Sequence, residues 1–396
     1  MYIIELILLS YFGYVSLYSF ILSAASLHYK NITPPDSRRM RKVAVLIPAY
    51  KEDSVIVGVA EQALQQNYPR DFFDVVVIAD SLKYSTLQRL RALPIKVIEV
   101  SFEKSTKVKA LNRAMQEIGD HYDCALILDA DNIIERDFIR RMNNLFEVGY
   151  RAIQARREPK NENTSMALLD GLSETINNFI YRQGNVSLGL SSSINGSGMV
   201  FDYGVYKGIM RSMDSVGGFD RELELRLIQR NIKVHFAKDI VVYDEKVASK
   251  EVFEHQRKRW ISSHFFYLRK YFREGWQELF RGNFVFFNSA VLRNIQLPRL
   301  LNLGLLSLIA LLSLVFSSHL AISPVVWISL LGLNFLAILF AIPKKFYNMK
   351  LLKSVAMLPG LFLRMFLLLF KLKGANKSFI HTPHGTVEMT VEKKTN

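Results

Sequence analysis

Leu126-Ile127-Leu128-Asp129-Ala130-Asp131 is an apolar run that ends in two carboxylates. A short, continuous apolar run of this kind is typical of a buried strand, so Asp129 and Asp131 are predicted to lie at the strand's carboxyl end. Hard oxygen ligands at such an edge can hold a divalent cation against a diphosphate leaving group. The stretch therefore predicts a Mg²⁺ or Mn²⁺ site, and a solvated strand end is the alternative.

Outward from this strand, apolar runs alternate with stretches of helical spacing. The runs are residues 43–47, 75–79, 96–100 and 125–128, and the helical stretches are residues 55–66 and 108–118. This alternation predicts an α/β fold in which helices cover a parallel sheet. In such sheets, ligands bind beyond the carboxyl ends of the strands.

Polar clusters follow three of these strands. Pro48, Ala49, Tyr50 and Glu52 follow the first strand, Asp80 follows the second, and Asp129 and Asp131 follow the last. Each cluster alone is also consistent with a turn or a helix cap. Because the clusters converge on one edge of the sheet, together they predict a single binding site.

The composition indicates a soluble domain combined with membrane segments. The chain has 396 residues, of which 50% are hydrophobic and 22% are charged. Residues 6–25 carry no charge, and about 20 residues span a bilayer core, so residues 1–28 are predicted to form a transmembrane anchor. A cleaved signal peptide is less consistent with the sequence, because no basic region precedes the apolar stretch.

Basic flanks set the predicted topology. Lysines and arginines at positions 30, 38, 39, 41 and 42 follow the anchor and mark the cytoplasmic side. The predicted segments are a cytoplasmic domain (40–265), interfacial amphipathic helices (266–298), two transmembrane helices (299–343), an interfacial or re-entrant helix (350–373) and a cytoplasmic tail (374–396). A fourth crossing over residues 350–373 is the alternative. The sequence thus predicts a multi-pass inner-membrane protein with its largest domain in the cytoplasm.

The net charge of +15 does not require nucleic acid. Lysine and arginine near a bilayer are attracted to anionic lipid, and anionic substrates are attracted as well. The sequence shows no nucleic-acid-binding motif, so membrane lipid is the predicted partner.

Gln256-Arg257-Lys258-Arg259-Trp260 places a rigid cationic fork beside a flat apolar ring. Together with Asp-x-Asp, this Gln-x-x-Arg-Trp run resembles the processive branch of family 2 glycosyltransferases, which includes the cellulose-, chitin- and hyaluronan-synthase-like enzymes. The resemblance covers residues 40–265. It implies a GT-A-like (Rossmann-like) domain, a UDP-sugar donor and a glycan or lipid-linked acceptor.

The resemblance also implies roles for individual residues. Tyr50 would lie along the uracil and Asp80 would accept a hydrogen bond from it, although the rest of the family's Asp-Asp-Gly-Ser segment does not carry over. Lys107, which begins a Lys-x-x-Ala-Leu-Asn segment, would approach the nucleotide, and Lys104 and Lys109 are nearby rivals. The residues implied at the donor sugar and the acceptor are Gln154, Gly196, Ser197, Gly198, Gln256, Arg259 and Trp260. Of these, Arg259 would pair with the diphosphate, and Trp260 would stack on the acceptor sugar.

The catalytic base departs from the family pattern. The family signature is Glu-Asp before a leucine-rich helix, and an ungapped match through Leu223 places Asp220 on the family's Asp. Phe219 replaces the family's Glu, which leaves Glu222 as the rival base. An inverting transfer needs one such carboxylate outside the metal shell, to take the acceptor hydroxyl's proton.

The resemblance therefore implies an inverting membrane glycosyltransferase of polysaccharide or glycolipid synthesis, and Gln-x-x-Arg-Trp favours processive action. Two alternatives remain open. One is a single-addition transferase acting on a lipid-linked acceptor. The other is a catalytically silent, nucleotide-sensing partner of an envelope polysaccharide machine with export partners. A transporter is not favoured, because the predicted crossings are few and no internal repeats are present.

Overall fold

The computed structural model describes residues 2–215, 217–247, 250–371 and 385. The tail predicted over residues 374–396 lies outside these residues, apart from Gly385. The chain divides into two compact units. The sheet unit comprises residues 31–162 and 191–247 with Gly385, and the helix unit comprises residues 2–30, 163–190 and 250–371.

The described residues form eight strands in one sheet. The strands are β1 Val43–Tyr50, β2 Phe73–Asp80, β3 Lys96–Val100, β4 Cys124–Ile127, β5 Ile133–Ile134, β6 Ala152–Pro159, β7 Met199–Asp202 and β8 His235–Asp244. Their order across the sheet is β3-β2-β1-β4-β7-β6-β8-β5.

The sheet is mixed rather than wholly parallel, which corrects part of the prediction. β3, β2, β1 and β4 run parallel, as predicted, but β7 lies antiparallel between β4 and β6, and β5 is antiparallel to β8. β5 and β7 have only two and four residues, too few to show a sequence period. The predicted α/β class is confirmed.

Sixteen helices accompany the sheet in the described residues. They are α1 Tyr2–Leu27, α2 Ile56–Ala63, α3 Tyr84–Arg91, α4 Lys107–Glu117, α5 Phe138–Glu147, α6 Ser165–Asn177, α7 Asn185–Ser187, α8 Tyr203–Met210, α9 Phe219–Gln229, α10 Lys250–Phe280, α11 Phe284–Phe287, α12 Arg293–Ile295, α13 Arg299–Val315, α14 Pro324–Ala341, α15 Met349–Val355 and α16 Leu358–Leu369. Two π-helical segments, Asn178–Gly184 and Asn288–Leu292, interrupt the helix unit.

The strands β1, β2 and β4 are buried on both faces. Along β1, Val43 and Val45 point into one apolar core, and Ala44 and Leu46 point into the other. A strand covered by helices on both faces has no solvent side, which explains why these runs are continuously apolar in the sequence. The sheet therefore holds the strand ends, and the polar residues that follow them, in fixed positions.

The helix unit contains three stretches that are long and apolar enough to cross a membrane, among the residues described. They are Tyr2–Leu27, Pro324–Ala341 and Met349–Leu369. The crossing predicted near residue 300 is different, because α13 has 17 residues and qualifies only together with Phe284–Ile295, from which it is bent by 56°. Met349–Leu369 has the length and composition of the fourth crossing that the sequence left as an alternative.

α1 packs closely against the rest of the helix unit. A Cβ added at Gly184 would lie 2.3 Å from the backbone oxygen of Leu22, so only glycine allows this approach. At the other end of α1, the buried carboxylate of Glu5 accepts hydrogen bonds from the backbone N–H groups of Ala321 and Ile322, at 3.0 and 2.9 Å. These contacts join segments that are far apart in the sequence.

Candidate active site

Asp129 and Asp131 lie just beyond the carboxyl end of β4. Asp131 is buried, and its carboxylate accepts hydrogen bonds from the backbone N–H of Glu245 at 2.9 Å and from Asn132 Nδ2 at 3.0 Å. The Asp129 side chain is 36% exposed and forms an ion pair with Lys107. One carboxylate is thus fixed by the fold, while the other faces the open side of the site.

Backbone and side-chain contacts hold the turn between these two carboxylates. The Asp129 N–H donates to Ser197 Oγ at 3.0 Å and to Asn132 Oδ1 at 3.2 Å. Ser197 is fully buried and also bonds to Asn132 Oδ1. Asn132 was not predicted from the sequence, although its position directly after Asp131 is a signal that could have identified it.

Lys107 is the one of the three candidate lysines that reaches this edge. It begins α4, whose first turn is capped by Thr106 Oγ1, which accepts from the Lys109 N–H at 3.2 Å. The Lys107 ammonium donates to Asp129 and to the Gly196 carbonyl at 2.7 Å. Lys109 instead donates to the Lys104 carbonyl at 3.3 Å.

The neighbouring strand ends bring Tyr50, Glu52 and Asp80 together. Tyr50 is paired with Asp80 across β1 and β2, and both Asp80 and Glu52 are buried. β1 is longer than predicted, so Pro48, Ala49 and Tyr50 lie inside the strand rather than after it. Pro48 is tolerated there because it lies past Leu46, the last residue of β1 in register with β4.

Two residues after these strand ends adopt unusual backbone conformations. Lys51 and Ser81 have φ angles of 56° and 59°, a left-handed region that side-chain-bearing residues rarely occupy. The Lys51 N–H donates to the Asp80 carbonyl at 3.0 Å, which ties the two bends together. Such strain persists where the surrounding fold fixes it and is concentrated at functional sites.

The loop before β7 brings its backbone close to the same edge. Gly196 and Gly198 have φ angles of 83° and 61°, and a Cβ at Gly198 would lie 2.5 Å from Val242 Cγ1. Gln154 is fully buried, and its amide donates to the Ser197 carbonyl at 2.9 Å and accepts from the Asn195 N–H at 3.1 Å. The structure therefore places Gln154 behind the loop, where it supports the loop's shape.

The two candidate bases occupy different environments at the start of α9. Glu222 is buried, accepts from Ser215 Oγ at 2.7 Å and pairs with Arg226 at 2.6 Å. Asp220 is partly exposed, and burial raises the pKa of its carboxyl, with a further upward contribution from Glu224. The positive charges of Arg221 and Lys107 act in the opposite direction on this pKa.

Phe219, the departure from the family pattern, packs between the loop and the lysine. Its Cε1 lies 3.8 Å from the position a Cβ would take on Gly196, and the Lys107 ammonium lies 5.5 Å from its ring centre. Glu224 is also buried, and it accepts from the Ile194 N–H at 3.4 Å. Glu224 was not identified from the sequence, because an acidic residue on a mixed helix gives no distinct signal.

Asp244 and Lys246, at the end of β8 and just beyond it, were also missed, and they form a charged group with Arg157 of β6. Asp244 pairs with Arg157 and with Lys246 at 2.8 Å, and Arg157 donates to the Asn195 carbonyl at 3.2 Å. Burial lowers the pKa of Lys160, against the opposing charges of Asp131 and its neighbours. The run 243–246 follows an apolar strand, so the rule that identified Asp80 could have identified Asp244 as well.

Gln256, Arg259 and Trp260 lie on α10 of the helix unit, which is described separately. The Trp260 ring is 41% exposed. The Arg257 guanidinium lies 4.4 Å from the centre of that ring and pairs with Asp170 at 2.5 Å. Arg257, a residue of the same motif to which the resemblance gave no role, therefore packs over the face of the Trp260 ring.

The carboxylates of Asp129 and Asp131 fit a metal ion that takes only one or two of its ligands from protein side chains. No group of three or more His, Cys, Asp or Glu side chains in the described residues is placed to hold a metal ion. Mg²⁺ is usually bound by one or two carboxylates plus substrate phosphates, so Asp129 and Asp131 are a sufficient protein contribution.

Residues 40–263, more than half of the chain, match the family model described as glycosyltransferase like family 2. The chain belongs to this family. Two beta-monoglucosyldiacylglycerol synthases are similar to it. The protein from Synechocystis sp. is 25% identical over 233 residues (55% of this chain, 47% of the relative), and the protein from Trichormus variabilis is 23% identical over 240 residues (55% and 48%). The chain spans about half the length of these curated relatives.

A solved structure has a similar fold over most of both chains. It is a mannosyltransferase from Pyrobaculum calidifontis in complex with GDP-mannose and Mn²⁺, with a TM-score of 0.51 at 18% identity, covering 84% of this chain and 94% of that chain. At this identity the similarity concerns the fold alone. The fold is GT-A-like, as the sequence predicted.

Proposed function

We propose that the chain is an inverting membrane glycosyltransferase that moves a sugar from a UDP-sugar to a lipid-linked or glycan acceptor. The observation that carries the proposal is the meeting of Asp129, Asp131 and Lys107 at one strand edge. Asp220, whose pKa is raised by burial, is the proposed base. Family membership supports sugar transfer, and the names of the curated relatives support a glycolipid product.

Each residue of the site has its own role in the proposed sugar transfer. Asp129 and Asp131 would hold Mg²⁺ or Mn²⁺, which neutralises charge on the leaving diphosphate when bound. Lys107 provides a cation near the same oxygens. Asp220 takes the proton of the acceptor hydroxyl, and Glu222, already engaged by Ser215 and Arg226, positions α9.

The helix unit supports a membrane location. Its three candidate spans, or four with the bent pair, fit a multi-pass inner-membrane protein whose sheet unit is cytoplasmic. α10 has an outward face that combines large apolar and basic side chains, while Tyr267 and Tyr271 on its other face are buried. The exposed residues include Phe265, Phe266, Arg269, Phe272, Arg273, Trp276 and Phe280. This composition is typical of a helix lying at the lipid–water interface.

Product length remains the open part of the proposal. Gln256, Arg259 and Trp260 favour the processive branch of the family, whereas the relatives' names favour a single addition. The described residues contain at most four candidate crossings, which is a small number of helices to line a polymer channel. We therefore favour single addition to a lipid. Product size on a defined lipid acceptor separates the two.

The test of the function is UDP release by detergent-solubilised protein over a panel of UDP-sugars with Mn²⁺. We expect release with one donor, lost in Asp220→Asn and largely retained in Glu222→Gln, with the exposed Asp214→Asn as a matched control. Release that survives Asp220→Asn contradicts the assignment of the base. If no donor gives release, UDP binding by the same sample decides between a missing acceptor and a silent nucleotide-sensing partner.

A further inference from the structure

Inside the helix unit, one face of α6 presents two carboxylates to arginines of other segments. Asp170 pairs with Arg257 of α10 at 2.5 Å, and Glu174 pairs with Arg182 of the first π-helical segment at 3.0 Å. None of the four side chains is more than 15% exposed. Two compensated ion pairs therefore lie side by side, one helical turn apart.

A third arginine joins this face without a carboxylate of its own. Arg299, the first residue of α13, donates to Asn177 Oδ1, and Asn177 lies one further turn along the same face of α6. Glu174 and Arg257 are within electrostatic range of Arg299. Of the residues that the structure describes, no carboxylate lies within 4.0 Å of its guanidinium.

Asp170, Glu174, Arg182, Arg257 and Arg299 are called here the arginine cluster. Three guanidinium groups against two carboxylates give the cluster a net charge of +1. A charge in an apolar helical unit is costly without a partner, and charges at such places mark functional sites. The excess positive charge fits an anion, and the planar guanidinium matches a phosphate with two parallel hydrogen bonds.

The position of the arginine cluster beside the end of α1 indicates that this anion belongs to a membrane lipid. The π-helical segment that carries Arg182 is tied to the last turns of α1, because Ser26 Oγ donates to the Phe179 carbonyl at 2.9 Å and Gln183 Nε2 donates to the Ser26 carbonyl at 2.8 Å. That end of α1 is followed by the basic flank that marks the membrane surface. A π-helical segment is also frequent at functional sites.

We propose that the arginine cluster binds the phosphate of a membrane lipid. The Arg257 guanidinium of the cluster also lies 4.4 Å from the ring centre of Trp260. A neutral diacylglycerol would leave the excess charge without a partner.

The test uses full-length protein in detergent and two lipids that differ only by the phosphate. Radiolabelled phosphatidic acid and diacylglycerol with the same acyl chains are titrated in equilibrium binding, with inorganic phosphate as a competitor. We expect phosphatidic acid to bind at least about tenfold more tightly than diacylglycerol, because a charge-assisted pair is gained. Inorganic phosphate should compete weakly.

Asn177→Asp is the decisive variant. It keeps all three arginines but supplies the carboxylate that Arg299 lacks, so the preference for phosphatidic acid should fall to about twofold or less. Arg299→Gln should have the same effect by removing the charge. Arg281→Gln is the control, since Arg281 is a 72% exposed arginine of the same unit that pairs with Glu278.

Equal binding of the two lipids would overturn the proposal, as would an unchanged preference in Asn177→Asp. Inorganic phosphate that competes as strongly as phosphatidic acid would show a site for free anions and would also overturn it. The proposed function fails separately, by absence of UDP release and of UDP binding in the same wild-type sample. In that case a phosphate preference would still establish the lipid site.

Discussion

The sheet unit and the helix unit place their polar residues by different rules. In the sheet unit, Lys107 pairs with Asp129 across 22 positions and the Asp129 N–H donates to Asn132 across three. The loop before β7 adds Gly196 and Ser197, which lie 89 and 68 positions from Lys107 and Asp129. In the helix unit, Glu5 meets Ile322 across 317 positions and Ser23 meets the Ala337 carbonyl across 314. Local sequence patterns predict the strand-edge site of the sheet unit but not the polar contacts of the helix unit.

The largest expected effect lies in the sheet unit. Asp131→Asn keeps an oxygen that accepts from the Glu245 N–H but removes the charge that would hold the cation. We expect UDP release to fall at least about 100-fold, in keeping with the several kcal/mol that such charge stabilisation contributes. The exposed Asp71→Asn is the control, and turnover retained in Asp131→Asn would show that this edge is not the site of chemistry.

In the helix unit, the largest effect is expected from a backbone contact. Gly184→Ala would place a Cβ 2.3 Å from the Leu22 oxygen, and backbone has little room to move, so we expect a loss of about 3 kcal/mol in the free energy of unfolding. Gly13→Ala in α1, where nothing lies within 4 Å, is the matched control. Thermal unfolding in detergent measures both, and equal melting temperatures would contradict the close approach of α1.

A smaller loss is expected at the other end of α1. Glu5→Ala leaves two backbone N–H groups, of Ala321 and Ile322, without their acceptor, at about 1–3 kcal/mol. Glu5→Gln retains one acceptor oxygen and should lose less. Trp327, buried in the same cluster as Phe12, reports the unfolding by fluorescence. If Glu5→Ala and wild type unfold together, these hydrogen bonds contribute nothing.

The smallest effect is a shift in pH dependence. Asp220 must be ionised to accept a proton, so activity falls as the pH drops through its pKa, which burial and then Glu224 raise above the ordinary value. Glu224→Gln removes a like charge, lowers the pKa of Asp220 and should move the acid limb to lower pH by less than about one unit. Asp214→Asn should leave the limb in place. A shift to higher pH would exclude Asp220 as the titrating base.

Much of the sheet unit could be predicted, because a buried strand is a continuous apolar run in the sequence and polar residues follow it. The runs that became β1, β2, β3 and β4, and the polar residues after them, follow from that rule. β5 escaped it because it has only two residues, whereas β7, which is as short as β4, directly follows Gly196, Ser197 and Gly198, which the resemblance implied at the donor sugar and the acceptor. Pro48 was placed after the strand because proline usually ends one. The roles of Asp220, Gln256, Arg259 and Trp260 remain predictions that the experiments above address.

The polar contacts of the helix unit could not be predicted in the same way. On one face of α6, Leu168, Leu172 and Ile176 pack in an apolar cluster. The opposite face carries Asp170 and Glu174, which the sequence presents as ordinary solvated acids. They gain partners only because the fold brings Arg182, Arg257 and Arg299 to α6, and no local sequence pattern predicts these contacts.

The long separations in the helix unit have a consequence for how the protein is made. α1 leaves the ribosome before the rest of the helix unit, and the backbone groups that bind Glu5 and Ser23 are synthesised more than 300 residues later. At about 5–20 residues per second, the helix waits tens of seconds for its partners. During that interval the carboxylate of Glu5 and the hydroxyl of Ser23 have not yet met the backbone groups that bind them in the folded protein.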